Sequence, residues 1–352
     1  MSAAVRAATS VGATVSPLGR PKAKRAPSGG SAAHAVASVG AILLRSYQQV
    51  DVFTAIPYRG NPLAVVLDGR GLDDDQMAAF ARWTNLSETT FVLPASAEAA
   101  AQGADYRLRI FTPGGELPFA GHPTLGSCHA WLANGGQPQQ PGQVVQECGV
   151  GLVTLRRDGA RLAFAAPAVR RSVPDPALLQ AVLAALGLQP TQVLAAQLLD
   201  NGPQWLSLLL DSPETVMAVQ PDHAALKSLG QKVGLASVAY SDEAPLLIAR
   251  SNREARAFGN RADTAAEPGA ATGLQVRAFA AAIGVPEDPV TGSLNASLAQ
   301  WLIAEGVLPE RYTARQGAAL GRDGWVHITQ DAAGQVWVGG DSVTCIAGTV
   351  QL

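Results

Sequence analysis

Charge is scarce in this chain: Asp, Glu, Lys and Arg make up 15% of its 352 residues. With 36 glycines beside so few charges, many tight turns are expected rather than long solvent-exposed helices. Cysteine is scarcer still. Cys128, Cys148 and Cys345 are odd in number and far apart, which excludes a disulfide framework or a zinc cluster and fits a reducing compartment. Aromatics are only 5%. No apolar run approaches the 18 or so residues of a spanning helix, so no membrane segment is expected. Acidic residues are missing altogether from the first 50 positions, which carry Arg6, Arg20, Lys22, Lys24, Arg25 and Arg45. Such an acid-poor, Ala- and Ser-rich leader reads as a transit peptide over about residues 1–46, removed on entry to a chloroplast or mitochondrion; without that import the protein would be cytoplasmic. Beyond residue 50, 20 basic face 28 acidic residues, a net of −8, which argues against nucleic acid as a partner.

What is abundant is apolar: 47% hydrophobic residues, ample for a core and, at this length, for two domains. The body says one thing twice. "VDVFTAIPYRGNPLAVVLDG" reads as strand, Gly/Pro turn, strand, and "DNGPQWLSLLLD" at 200–211 repeats its second part. "DDDQMAAFARWTNLS" and "PDHAALKSLGQKV" follow as helices, and "ETTFVLP" and "ASVAYS" as strands. "YRLRIFTPGGELPFAGHPTLGSCHAWLANGG" and "LQVRAFAAAIGVPEDPVTGSLNASLAQWLIAEGV" share a layout: a strand with Arg two residues before Phe, a turn, then a helix of small residues. A repeat of this length means two copies of one unit, which normally face each other, and small-molecule sites lie at such junctions. The expected division is a first domain over 47–165, a Pro-rich link from 166, and a second domain over 166–344, with a last strand near 345–352 able to return to the first. The helices expected at 123–133 and 289–305 have almost no polar face, so each is central and buried, inside an antiparallel sheet.

Chemistry-bearing residues cluster where these helices begin. Asp288-Pro289 has the form of an N-cap and first helical residue, which would leave Thr291, Gly292 and Ser293 to offer unpaired N–H groups to an anion. Asp288 is equally explained as a plain cap. Gly121 and His122 offer the matching start in the first half, although a histidine between Gly and Pro also suits an ordinary turn. Glu88, at a helix-to-strand junction, is either a surface partner of Arg82 or a costly inward carboxylate with a raised pKa that can carry protons. A metal held by His122 and His129 is disfavoured by their seven-residue spacing.

Together "NLSETTFVLP", "FTPGGELPFAGHPTLG", "DNGPQWLSLLL", "RAFAAAIGVPEDPVTGS" and "ARQGAALGRDG" resemble the PhzF-like family of phenazine-biosynthesis isomerases, from about Tyr47 to the C-terminus. The resemblance implies an α+β fold like that of diaminopimelate epimerase, two pseudo-symmetric domains each curled around a central helix. It implies a catalytic Glu88, with His122 and Asp288 beside it, and Gly121, Gly292 and Ser293 around the substrate, where the helix-start reading also puts Thr291. No cofactor and no metal are implied; the partner is a small carboxylate, and a homodimer is compatible. The expected reaction is a proton shift, with amino-acid epimerisation or simple acid binding as the alternatives. Two departures stand out: Pro123 where Ala is commoner, and Leu294-Asn295 where Ala-His is frequent.

Overall fold

The computed structural model describes residues 43–159, 161–240 and 271–352; the transit-peptide expectation over residues 1–46 lies outside them except at its end, where β1 already begins at Leu44. The first half runs β1 (Leu44–Val52), β2 (Asn61–Val66), α1 (Asp74–Thr84), β3 (Thr89–Leu93), α2 (Ala97–Ala101), β4 (Tyr106–Thr112), β5 (Gly115–Leu117), α3 (Gly121–Ala133), β6 (Gln143–Cys148), β7 (Gly151–Asp158) and β8 (Arg161–Ala165). A short strand, β9 (Arg170–Ser172), lies in the Pro-rich link, and α4 (Pro176–Leu186) begins where it ends. The second half is β10 (Val193–Asp200), β11 (Gln204–Leu210), α5 (Pro213–Ala218), α6 (His223–Leu229), β12 (Lys232–Tyr240), β13 (Ala271–Ala280), β14 (Val285–Asp288), α7 (Gly292–Ala304), β15 (Arg311–Gln316), β16 (Gly324–Gln330), β17 (Val336–Gly340) and β18 (Ser342–Gln351).

Local chemistry explains the joints. Asp73 and Gln76 form a capping box at the start of α1, and Asn85, left-handed at φ 53°, ends it and turns the chain toward β3. Gly230, at φ 66°, ends α6 early. The sequence reading carried that helix through residue 233; the left-handed glycine stops it, and β12 starts at Lys232.

The strands form one mixed sheet whose order is almost a palindrome. It reads β18-β1-β2-β3-β4-β6-β7-β8, crosses to β17, and continues β16-β15-β13-β12-β11-β10-β9. β5 hangs on β4 as β14 hangs on β13. Four pairings are parallel where a purely antiparallel sheet was expected: β2 with β3, β4 with β6, β11 with β12, and β13 with β15. Each joins strands separated in the chain by a helical crossover, the connection that parallel neighbours require.

Side chains fix the equivalence of the halves residue by residue. Arg109 pairs with Glu116 and lies 5.0 Å over the Phe111 ring; Arg277 pairs with Glu287 and lies 5.0 Å over Phe279. β4 therefore matches β13, and β5 matches β14. The central helices α3 and α7 are buried nearly all round, as their small, apolar faces predicted. Each is enclosed by strands, α3 by β1, β2, β3, β4, β8 and β18, and α7 by β10, β16 and β17. One apolar cluster runs through both halves, from Val50, Leu125 and Phe164 to Leu294, Trp301 and Val338.

Candidate active site

Two helices begin against each other at the centre of the molecule. Gly121 and Gly292 are the first residues of α3 and α7, and they touch. A Cβ on Gly121 would lie 2.9 Å from the Gly292 Cα and 2.8 Å from the Phe164 ring; one on Gly292 would lie 2.9 Å from the Gly121 Cα. Only hydrogen fits at either position. Both helices thus aim N-terminal dipoles and unpaired N–H groups into the same space. That space is a cavity of about 220 Å³, lined among others by Glu88, His122, Lys232, Asp288 and Ser293.

The two helix starts are set otherwise than the sequence suggested. Asp288 does not cap α7. It is the last residue of β14, paired with Ala278, and the helix begins four residues later, after Thr291. Thr291 lines the cavity, but its donors are engaged within the protein: its N–H goes to Gln316 Oε1 at 3.0 Å, and its hydroxyl donates to Asp288 Oδ2 at 2.6 Å while accepting from Gln316 Nε2. Through that hydroxyl it holds Asp288. Pro123 lies third in α3, not first, a position that likewise needs no intrahelical N–H bond. The repeat also pairs residues differently from the sequence reading, which matched His122 with Asp288. With Gly121 opposite Gly292, the counterpart of His122 is Ser293; with Glu116 matching Glu287, the counterpart of Asp288 is Leu117.

Glu88, His122 and Asp288 do converge. His122 Nε2 and Glu88 Oε2 lie 3.4 Å apart, with 4% and 14% of their side chains exposed. They are not aligned for a hydrogen bond, and each atom is buried without a partner. Asn61 fixes the imidazole from behind. Its amide nitrogen donates to Asp288 Oδ1 at 2.8 Å and to the Val290 carbonyl at 2.9 Å, and lies 3.3 Å from His122 Nδ1. Both amide hydrogens are directed to oxygens, so the ring nitrogen facing this amide carries the lone pair, and the ring proton is on Nε2. His122 therefore presents an N–H toward Glu88 and the cavity. Burial lowers its pKa to about 3, so it stays neutral.

The acids move the other way. Burial, reinforced by the charge of Asp288 and opposed by Lys232, raises Glu88 to about 8. Burial raises Asp288 to about 6 against the pull of the Thr291 hydroxyl and the Asn61 amide. A carboxyl poised near neutrality beside a fixed N–H donor can take a proton from a substrate carbon and return it elsewhere. The nearby helix starts can stabilise the anion formed between the two steps. Cys128 and Cys148 do not line the cavity, and burial raises both thiols, Cys128 to about 12.

Three residues escaped sequence reasoning. Asn61 was read only as turn chemistry in "RGNP", and its contact with Asp288 spans 227 residues. Gln316, in β15, holds Thr291 and the Asn295 amide. Lys232 was hidden inside a helix that ends before reaching it.

Known proteins resemble this chain in sequence and in fold. The family model described as phenazine biosynthesis-like protein matches residues 50–348. The chain is 33% identical over 317 residues to antisense-enhancing sequence 1 of Schizosaccharomyces pombe, covering 86% of this chain and 97% of that one. It is 31% identical to the trans-2,3-dihydro-3-hydroxyanthranilate isomerase of Pseudomonas aeruginosa, covering 83% and 92%. A crystal structure of a PhzF-family phenazine biosynthesis protein from Bacillus anthracis superposes with a TM-score of 0.69 at 20% identity, covering 88% of this chain and all of that one, which bears on the fold alone.

Proposed function

The chain belongs to the phenazine biosynthesis-like family and is an isomerase, and we propose that it shifts a proton within a small carboxylic acid, using its own side chains and no cofactor. Glu88 abstracts the proton from carbon and redelivers it. His122, through Nε2–H, and Asp288 orient the substrate. The N–H groups of Gly121, Gly292 and Ser293 face the oxygen on which charge develops. The observation that carries this reading is the unpartnered, buried Glu88 carboxyl, raised toward neutrality and adjoining the cavity into which both helices point. That one relative is named an isomerase of a dihydrohydroxyanthranilate supports a cyclic, unsaturated acid as the substrate type.

The test is incorporation of solvent deuterium into small unsaturated acids incubated with the enzyme. Glu88→Gln keeps the shape of the site but cannot move a proton, so exchange should fall by about 10²–10⁴ while the fold is kept. Exchange within a few-fold of wild type in that variant would refute the role given to Glu88. Exchange confined to the Cα of amino acids would favour epimerisation instead.

A further inference from the structure

The register that aligns the two halves has a consequence on the far wall of the cavity. Thr89 pairs with Phe111 across β3 and β4, and Val233 pairs with Phe279 across β12 and β13. Since Phe111 and Phe279 are equivalent, so are Thr89 and Val233. The residue before each is therefore equivalent too: Glu88 in one half, Lys232 in the other. The burial pattern agrees, because Phe91 and Leu235 both face the outer apolar layers, while Val92 and Ala236 both face the central cluster. Lys232 thus stands in the mirror position of Glu88, and both line the cavity.

Lys232 is the only lysine or arginine among the described lining residues, and no hydrogen bond or ion pair to another described residue engages its ammonium. Nζ lies 5.7 Å from the centre of the Trp205 ring, and Trp205 Nε1 donates to Ser293 Oγ at 3.2 Å. One indole therefore bridges the ammonium and the start of α7. Burial lowers the pKa of this ammonium, the Glu88 and Asp288 carboxyls act on it without pairing with it directly, and it lines the same cavity as the first turn of α7 with its unpaired N–H groups. His122 Nε2, buried and without a partner, opens onto the same space. The remaining wall is largely apolar: Leu117, Phe119, Val150, Ile283 and Val285.

We infer that Lys232 selects the substrate's anionic group: its ammonium, together with the N–H groups of Gly292 and Ser293, receives a single carboxylate, and the apolar wall receives the rest of the molecule. This rests on the proton-shift reading above and extends it to substrate class. The charges support one carboxylate and not two. With Glu88 protonated, Asp288 and one bound carboxylate are balanced by Lys232 and by two helix starts of about half a charge each; a second carboxylate would add a negative charge that these groups do not balance.

Benzoate and benzamide, alike in shape and different in charge, are the probes, titrated into the full chain by calorimetry. Wild type should bind benzoate at millimolar concentration or below, and benzamide at least about tenfold more weakly. Lys232→Met should lose about tenfold or more in benzoate affinity and leave benzamide unchanged, whereas Lys232→Arg should stay within a few-fold of wild type. Thermal melting of each variant shows whether it is folded. Unchanged benzoate affinity in folded Lys232→Met, no preference for benzoate over benzamide, or no benzoate binding to wild type would each overturn the assignment. Glu88→Gln separates the two readings. If it exchanges deuterium normally but Lys232→Met loses benzoate, the proton-shift role fails and the anion site stands.

Discussion

At neutral pH Glu88 is mostly protonated, because burial and the neighbouring Asp288 both oppose its negative charge. Proton abstraction needs the ionised form. kcat/KM for the abstracting direction should therefore rise with pH through about 8, while His122 stays neutral and Asp288 titrates below it. Lys232 holds the Glu88 pKa down, so Lys232→Met should move this limb to higher pH. The same shift has a stability consequence. In the unfolded chain Glu88 ionises near its ordinary value, about 4.3, but in the folded chain only near 8. Stability is fully present below the unfolded pKa and is lost as pH rises through the folded one. Glu88→Gln should thus raise Tm, and by more at pH 8 than at pH 5, in paired melts; an equal gain at both would count against the raised pKa. Asn61→Ala should lower turnover without touching the substrate, since it frees the imidazole to adopt the other tautomer. Rescue by Asn61→Gln is not expected, because the longer chain cannot reach Asp288 and Val290 together.

Elements position these residues by contact and by buried charge. The Gly121–Gly292 contact lets two helix starts meet with no side chain between them. Gly292→Ala should separate them, costing roughly 1–3 kcal/mol in denaturant melts, as overpacking does, with a fall in kcat/KM beyond any loss of folded protein. The hairpin of β13 and β14 carries Asp288 and is braced by Arg277, which pairs with Glu287 at 5% and 7% exposure and donates to the carbonyls of Val216 and Val219. Arg277→Met would strand the Glu287 charge and should cost about 3–5 kcal/mol. Its equivalent, Arg109, pairs with the more exposed Asp74 and Glu116; breaking its contact with either by Asp74→Asn or Glu116→Gln should cost no more than about 1 kcal/mol. The symmetric frame thus bears unequal loads.

In the whole molecule the halves share both sheet and core. β8 joins β17 with Phe164 opposite Val338, and β18 adds to β1, so neither half can open without breaking the other. Urea unfolding followed by tryptophan fluorescence and by far-ultraviolet circular dichroism should give one coincident transition; two separated transitions would show the halves to be independent. The sequence by itself determined the repeated unit and the buried small-residue helices, and it offered Glu88, His122 and Asp288 as polar candidates near the joints that the family resemblance then singled out. Those are local matters: period, caps, and polar side chains in apolar surroundings. It misjudged the start of α7 because Asp288-Pro289 satisfies every local rule for a helix start, while pairing with Ala278 keeps Asp288 in a strand. Only the tertiary structure decided which residues correspond and which meet: Lys232 in the place of Glu88, Ser293 in the place of His122, and Asn61 behind both His122 and Asp288. Those relations join residues far apart in the chain, 61 for Asn61 and His122 and 227 for Asn61 and Asp288, or depend on strand register, which is settled by sheet packing, where one residue of slip reverses every side chain.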